Sequence, residues 1–200
     1  MGSSQPFLFV VGFNYEAPKV TESKIVRNVV GGWTLGGILR YASGLPIAVP
    51  GSQASLNSLV FQGTRMNRVP GQPLFLKDLN CHCIDPNKDF VLNPAAWSDV
   101  PQGQWGFSAP YYNDYRYARQ PSEQLSLGRI FRVKEKYRFQ IRAEFFNVLN
   151  RVVMPNPSAS NPLQTPTRNN AGVPTSGFGR IDATTVGGQR NGQLVARIEF

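Results

Sequence analysis

The sequence predicts an all-β protein built around an antiparallel sheet of five strands. Three observations predict it: the composition, a period-two alternation in five stretches, and the order of short and long connections between those stretches. Of the 200 residues, 19 are Gly and 16 are Pro, aromatic residues make up 12% and charged residues only 16%. This composition is typical of a loop-rich β protein and not of a helical bundle. The hydrophobic content of 41% argues against wholesale disorder.

The charge balance does not indicate a nucleic-acid partner. The chain has 21 Lys+Arg and 12 Asp+Glu, and 21 − 12 gives a net charge of +9. The basic residues are spread along the chain without a run of four, so no basic patch of the kind that binds phosphate backbones is expected. No apolar run reaches the ~18 residues of a membrane-spanning helix. The start of the chain also lacks the basic and apolar regions of a signal peptide, so none is expected in the chain as given.

Strands are predicted where apolar residues alternate and proline is missing, because proline lacks the N–H that a sheet ladder needs. The five stretches cover residues 7–15, 33–42, 124–133, 137–146 and 193–200. Their apolar sides are formed by Phe7, Phe9, Val11, Phe13 and Tyr15; by Trp33, Leu35, Leu39 and Tyr41; by Leu125, Leu127, Phe131 and Val133; by Tyr137, Phe139, Ile141, Ala143 and Phe145; and by Leu194, Ala196, Ile198 and Phe200. A helix over 137–146 is excluded, since apolar residues at every second position would spread around a 3.6-residue turn.

The connections between these strands are 17, 81, 3 and 46 residues long. In an antiparallel sheet with neighbours in chain order, this pattern puts the two longest connections, 43–123 and 147–192, at the same end. Short turns at one end and long loops at the other are typical of an outer-membrane β-barrel, whose strands need ~9–11 residues. The three-residue link 134–136 leaves no room for a crossover, so the hairpin that it joins is expected to be the best-formed part.

In a barrel the apolar side of each strand faces lipid and the polar side faces the lumen. Tyr15, Trp33, Tyr137 and Phe200 are then expected at the periplasmic strand ends, in an interfacial aromatic girdle. Arg129 does not fit this pattern, because it falls on the apolar side. Two interpretations stay open for it: a position near the interface, or a bulge near Gly128 that turns it inward.

Seven segments, spread over nearly the whole chain, carry a resemblance to a known family. They are Gly31–Ile38, Tyr41–Pro46, Leu92–Trp97, Ser126–Arg132, Gln140–Arg151, Ser176–Gly179 and Ala196–Phe200. These segments resemble the last barrel strands of TonB-dependent receptors, most closely the Oar-like branch common in acidobacteria. The full-length members of that branch carry a carboxypeptidase-regulatory-like domain.

The resemblance implies a barrel of about 22 strands, closed by an N-terminal plug, that takes up scarce ligands with energy passed on by TonB. Twenty-two strands of ~10 residues need ~220 residues, more than this chain contains. The sequence is therefore expected to be the C-terminal segment of such a receptor, with TonB contacted only through the missing N-terminal part. The resemblance also implies that the terminal strand ending in Phe200 is a signal for the barrel-assembly machinery, with interfacial anchoring as the alternative role. Outer-membrane lipid is the other expected partner.

Cys81 and Cys83 flank His82 in the longest loop. A metal site is not expected, since zinc needs four ligands and the chain has no other Cys or His. A disulfide that fixes the loop tip is a second interpretation, and it suits an oxidising compartment. No cofactor motif and no catalytic set of residues is present, so an enzyme is not expected.

Aromatic residues crowd the same loop, and two interpretations are open for them. They either stack on a sugar or another flat ligand, or they pack against one another. The residues are Trp97, Trp105, Tyr111, Tyr112, Tyr115 and Tyr117. The first interpretation also supports an alternative to the receptor, a soluble β-sandwich that binds glycan through its loops.

Two polar sets have a structural and a functional interpretation. Asn147 and Asn150 are expected to form turns at a strand end, with ligand contact as the alternative. Four arginines on the polar side are expected to pair with Glu144 and Glu199 across strands, with an anion path through the lumen as the alternative. The arginines are Arg132, Arg138, Arg142 and Arg197.

Overall fold

A computed structural model describes residues 5–18, 31–58, 60–133 and 137–200. Within these ranges the regular secondary structure is β, apart from two single-turn 3-10 helices at Pro94–Ala96 and Ala183–Thr185. The strands are β1 (Leu8–Glu16), β2 (Trp33–Ala42), β3 (Pro46–Ala48), β4 (Asn67–Arg68), β5 (Trp97–Ser98), β6 (Tyr111–Arg116), β7 (Gln120–Val133), β8 (Tyr137–Phe146), β9 (Thr167–Arg168), β10 (Pro174–Ser176) and β11 (Asn191–Glu199). Among the described residues, no helix has the length and apolar content to cross a membrane.

The five predicted strands form one sheet in the order β1-β2-β7-β8-β11, and all neighbours are antiparallel. The predictions of antiparallel pairing, chain order and a hairpin between β7 and β8 are therefore confirmed. β2 and β8 have the predicted bounds. The long connections after β2 and β8 leave from the same end of the sheet, as the alternation of connection lengths predicted.

β7 begins four residues earlier than predicted, and it includes Pro121. This proline pairs with Tyr41 of β2, whereas the ladder between β7 and β8 begins only at Gln124. Pro121 therefore lies where β7 has a single neighbour, which is the setting in which a sheet tolerates a missing N–H.

Contacts divide the chain into two compact units. The sheet unit contains the described parts of residues 7–42, 120–153 and 188–200, and the loop unit contains the described parts of 43–119 and 154–187 together with residues 5–6. The two connections expected as long loops thus contribute most of a folded unit of their own.

The loop unit has a hydrophobic core although its strands are only two to six residues long. Three two-stranded ladders, β3–β6, β4–β5 and β9–β10, supply its regular hydrogen bonds. Asn93 starts the first 3-10 helix: its side chain accepts from the N–H of Ala95 and donates to the carbonyl of Pro73 at 2.7 Å. The core residues are Ile47, Val49, Met66, Leu74, Leu79, Ile84, Val91, Leu92, Ala96, Trp97, Tyr115, Phe178 and Ile181.

Candidate functional site

The register of the sheet places the apolar sides of all five strands on one face. One row of directly opposed residues is Tyr15, Leu35, Leu127, Ala143 and Leu194. These side chains are exposed or half-buried, and Leu194 keeps 82% of its surface accessible. A soluble sheet buries such a face, whereas a barrel turns it to lipid. We call this face the apolar side.

The neighbouring row shows the opposite character. It contains Asn14, Gly36, Ser126, Glu144 and Gln193 in direct opposition across the five strands. The Gln193 side-chain amide donates to Glu144, and Ser126 Oγ donates to the carbonyl of Gly36 at 3.4 Å. We call this face the polar side, and it corresponds to the lumen in a barrel.

Ion pairs continue along the polar side. Arg142 Nε lies 2.8 Å from Glu144, and Arg197 lies 3.1 Å from Glu199; in both pairs the partners are two residues apart on one strand. Arg138 lies 3.9 Å from Glu199 on the facing strand. The expected pairing with Glu144 and Glu199 is thus present for three arginines, although only one pair crosses strands. Arg132 has no ion pair among the described residues.

Glycines open a depression of about 600 Å³ in the sheet. A Cβ on Gly36 would lie 2.9 Å from Ser126 Oγ, and a Cβ on Gly37 would lie 2.6 Å from the Phe13 ring on the other face. A side chain at either glycine would therefore force the facing Ser126 or Phe13 side chain to move. The polar and charged lining comes from Asn14, Gln124, Ser126 and Glu144. Amide, hydroxyl and carboxylate groups of this kind can hydrogen-bond a polar ligand or another polar surface.

Another ion pair, on the apolar side, lies where β7 leaves the ladder with β8. Glu123 is only 1% exposed, and Arg151 Nε donates to its carboxylate at 2.7 Å. Asn147 and Asn150 both have positive φ, and the Asn147 side chain accepts from the Arg151 N–H and donates to its carbonyl. The two asparagines therefore have the expected turn role. Glu123 was not among the predicted site residues, because it lies outside the predicted strand 124–133, whereas β7 begins at Gln120.

Arg129 is also a charged residue on the apolar side of β7. It pairs directly with Trp33 of β2 and Ile141 of β8, and the register continues without a shift through Gly128. The bulge that would have turned Arg129 inward is therefore not there, and this interpretation was wrong. Its guanidinium carbon is 4.6 Å from the centroid of Phe131 and 5.8 Å from that of Trp33.

The loop aromatics separate into buried and exposed residues. Trp97 and Tyr115 are 4% and 0% exposed and lie 5.4 Å apart by ring centroids in the core of the loop unit. Their packing in this core favours the self-packing interpretation for these two rings. Burial raises the pKa values of the Tyr115 and Tyr117 hydroxyls above the ordinary value of a tyrosine.

Two further loop aromatics, Tyr111 and Tyr112, are only partly buried. Tyr112 is partly buried against it and carries the Arg68 guanidinium at 4.8 Å from its ring centroid. Arg68 in turn forms an ion pair of 2.7 Å with Asp114. Tyr111 is half-buried at the start of β6.

Trp105 remains the exposed member of the set, with 54% of its surface accessible. It packs edge-to-face on Phe61, with ring centroids 5.6 Å apart. Phe107, two residues further on, is almost fully exposed. Phe61 and Phe107 were not among the predicted site residues, because spacing within an irregular loop does not indicate which rings reach the surface.

Cys81 and Cys83 are joined by a disulfide in the structure. In the same long connection, the Lys77 ammonium and the Asp85 N–H both donate to the Asp89 carboxylate at 2.7 Å. The hydrogen bond from Lys77 is the main cause that lowers the pKa of Asp89. Within the described part of the chain, no group of three or more His, Cys, Asp or Glu side chains is arranged to hold a metal ion.

One side of the sheet is apolar and accessible and the other is polar, which is the arrangement expected in the wall of a membrane β-barrel. Comparison with protein families agrees: residues 2–193 match the family described as the outer membrane beta barrel domain. The chain belongs to this family. No curated protein and no solved structure matches the chain significantly.

Proposed function

We propose that this chain is a barrel segment of a TonB-dependent receptor of the Oar-like branch, which carries scarce ligands across the outer membrane. The observation that supports it most is the separation of faces: all five strands present an accessible apolar side, and their opposite side carries ion pairs and a depression lined in part by polar side chains. A lipid-facing exterior and a hydrated interior are what a transport barrel needs.

The edges of the sheet suit a larger barrel. In the described part of the chain, β1 and β11 each pair on one side only, so each has a free edge where further strands would add. A barrel of about 22 strands would place this sheet as roughly a quarter of its wall. The proposed partners are outer-membrane lipid, TonB through an N-terminal part, and the assembly machinery. Phe200, exposed directly after β11, stays a prediction as the assembly signal.

The experiment for transport expresses the full receptor gene in Gram-negative cells with and without TonB. Uptake is measured for three radiolabelled probes: a ferric siderophore, cobalamin and a maltooligosaccharide. The proposal expects uptake of at least one probe that is lost in cells without TonB. Uptake that is unchanged without TonB, or no uptake of any probe by a receptor inserted in the outer membrane, contradicts it.

A soluble β-sandwich that binds glycan is the alternative, and the exposed Phe61–Trp105 pair favours its ligand chemistry. A sandwich needs a second sheet over the apolar side, whereas the other sheets of the described residues have only two strands. Binding of the maltooligosaccharide by a detergent-free monomer, lost in Trp105→Ala and kept in Tyr111→Phe, would favour this alternative.

A further inference from the structure

Two aromatic rings of the loop unit meet at the surface. Phe61 and Trp105 keep 57% and 54% of their surfaces accessible. Their ring planes meet at 66°, with the centroids 5.6 Å apart. We call this pair the aromatic corner. Unlike the rings of the core, it presents aromatic surface to solvent in two directions, so one bound molecule can contact both rings.

The aromatic corner is held by two chain segments that hydrogen bonds join on both sides of Trp105. The Gly103 N–H donates to the carbonyl of Ser55 at 2.8 Å, and the Gly106 N–H donates to Thr64 Oγ1 at 2.9 Å. Gly106 also approaches the other segment so closely that a Cβ there would lie 1.8 Å from a backbone oxygen. The backbone therefore fixes the position of the Trp105 ring, which lowers the entropy cost of binding a ligand on it.

Uncharged amide side chains accompany the aromatic corner. Gln62 and Gln104, the sequence neighbours of the two rings, are both exposed. The Gln102 side chain donates to Asn57 Oδ1 at 3.2 Å and so adds a further link between the two segments. Each amide has two N–H donors and a carbonyl acceptor, so this set can both donate to and accept from the hydroxyl groups of a ligand.

The two segments carry no charge. Residues 51–64 and 100–113 contain no Asp, Glu, Lys or Arg, although the whole chain has 21 Lys+Arg and 12 Asp+Glu. Phosphate and carboxylate ligands are held by cationic side chains, so these segments do not suit an anion. Aromatic rings beside neutral amides suit a sugar, whose C–H face stacks on a ring while its hydroxyl groups hydrogen-bond the amides.

We propose that the aromatic corner binds a neutral oligosaccharide, with one sugar ring stacked on Trp105 and hydroxyl groups bound by Gln102 and Gln104. The long connections of outer-membrane barrels are extracellular, so a site on them meets ligands outside the cell. As a capture site for the transported ligand, it rests on the proposed receptor function, whereas the binding step itself is measured without transport.

The test uses the full chain in micelles of lauryldimethylamine oxide, because a maltoside detergent would compete as a sugar. Isothermal titration calorimetry measures binding of three neutral probes, maltoheptaose, cellohexaose and xylohexaose, and of trigalacturonate as the anionic comparison. At least one neutral probe is expected to bind. Trp105→Ala is expected to weaken that binding at least tenfold, since it removes the stacking ring, and Trp105→Phe is expected to keep part of the affinity.

Phe107→Ala is the matched control. Phe107 lies two residues beyond Trp105 and is 92% exposed, but it has no ring contact among the described residues. Its removal is expected to leave the dissociation constant within about twofold of the parent value. The tryptophan emission of the parent is expected to shift when the sugar binds, and that of Trp105→Phe to stay unchanged, because Trp97 is buried in the core.

Four results overturn the proposal. They are no binding of any neutral probe by the folded parent, equal affinity in the parent and Trp105→Ala, an equal loss in Trp105→Ala and Phe107→Ala, and tighter binding of trigalacturonate than of every neutral probe. A dimer of the chain that dissociates in Trp105→Ala would also contradict it, since the corner would then be a contact between copies. The calorimetry needs no TonB, so its failure is distinguishable from a failure of the uptake experiment.

Discussion

Removal of Arg151 is expected to destabilise the protein more than neutralisation of its partner Glu123. The Glu123 carboxylate is 1% exposed, and the Arg151 side chain keeps 40% of its surface accessible. Arg151→Ala therefore leaves a buried charge without its ion-pair partner, whereas Glu123→Gln leaves a cation that water already reaches.

The two burial values set the magnitudes. Breaking a fully buried pair costs about 3–5 kcal/mol, and the partial exposure of Arg151 lowers the expected cost of Arg151→Ala to roughly 2–3 kcal/mol. Glu123→Gln keeps an acceptor for Arg151 Nε and is expected to cost about 1 kcal/mol. The double variant is expected to be more stable than Arg151→Ala alone, because a buried amide costs less than a buried carboxylate.

Equilibrium unfolding by urea, followed by tryptophan fluorescence in micelles, measures these free energies. Arg132→Gln is the control for the loss of one positive charge, and it is expected to change the free energy of unfolding by less than about 0.5 kcal/mol. A larger loss for Glu123→Gln than for Arg151→Ala, or a double variant less stable than both, would refute the reasoning.

Three further predictions use the same unfolding assay. Gly37→Ala is expected to lower the free energy of unfolding by about 1–3 kcal/mol, because its Cβ would lie 2.6 Å from the Phe13 ring. Gly12→Ala is the control, since open space surrounds Gly12 and the substitution should not destabilise the sheet. Equal effects of the two substitutions would contradict this. Replacement of Cys81 and Cys83 by Ala is expected to cost no more than about 2 kcal/mol, because the disulfide closes a very short loop, and a larger loss would show a wider role. Asp89→Asn is expected to cost about 1.5 kcal/mol at neutral pH. Since the folded-state pKa of Asp89 is lowered, its contribution is complete above the unfolded value of about 3.9 and is lost as the pH falls through the folded value. A difference between parent and variant that does not shrink below about pH 4 would contradict this.

The sheet could be predicted from the sequence because each of its strands repeats one simple alternation over about ten residues. In β8, Tyr137, Phe139 and Ile141 alternate with Arg138 and Gln140, and no helix accommodates that order. The antiparallel pairing of neighbouring strands was predicted from the lengths of the connections. The apolar and polar sides of the sheet then followed from the alternation within each paired strand. The start of β7 was not predictable in this way, since its proline is tolerated only where β8 has already ended.

The loop unit was not predictable by the same means. Its strands of two or three residues are too short to carry a period, and its core joins residues from distant parts of the chain. Trp97 and Trp105 are eight residues apart in the same long connection, yet one lies in the core and the other at the surface. Only tertiary packing decides between them. Arg129 visibly broke the predicted alternation of β7, whereas Glu123 lay outside the predicted strand and its ion pair with Arg151 could not be read from the sequence.

The most direct test of a lipid-facing apolar side is a spin-label scan of β7. Cys81 and Cys83 are first replaced by Ala, and single cysteines are then introduced at Leu125, Ser126, Leu127 and Gly128. Each cysteine is labelled with a nitroxide, and the chain is reconstituted into lipid vesicles. Collision with oxygen, which concentrates in lipid, is expected to be high at the two leucine positions, and collision with a water-soluble nickel chelate high at the other two. Equal exposure to the chelate at all four positions would contradict a lipid-facing apolar side.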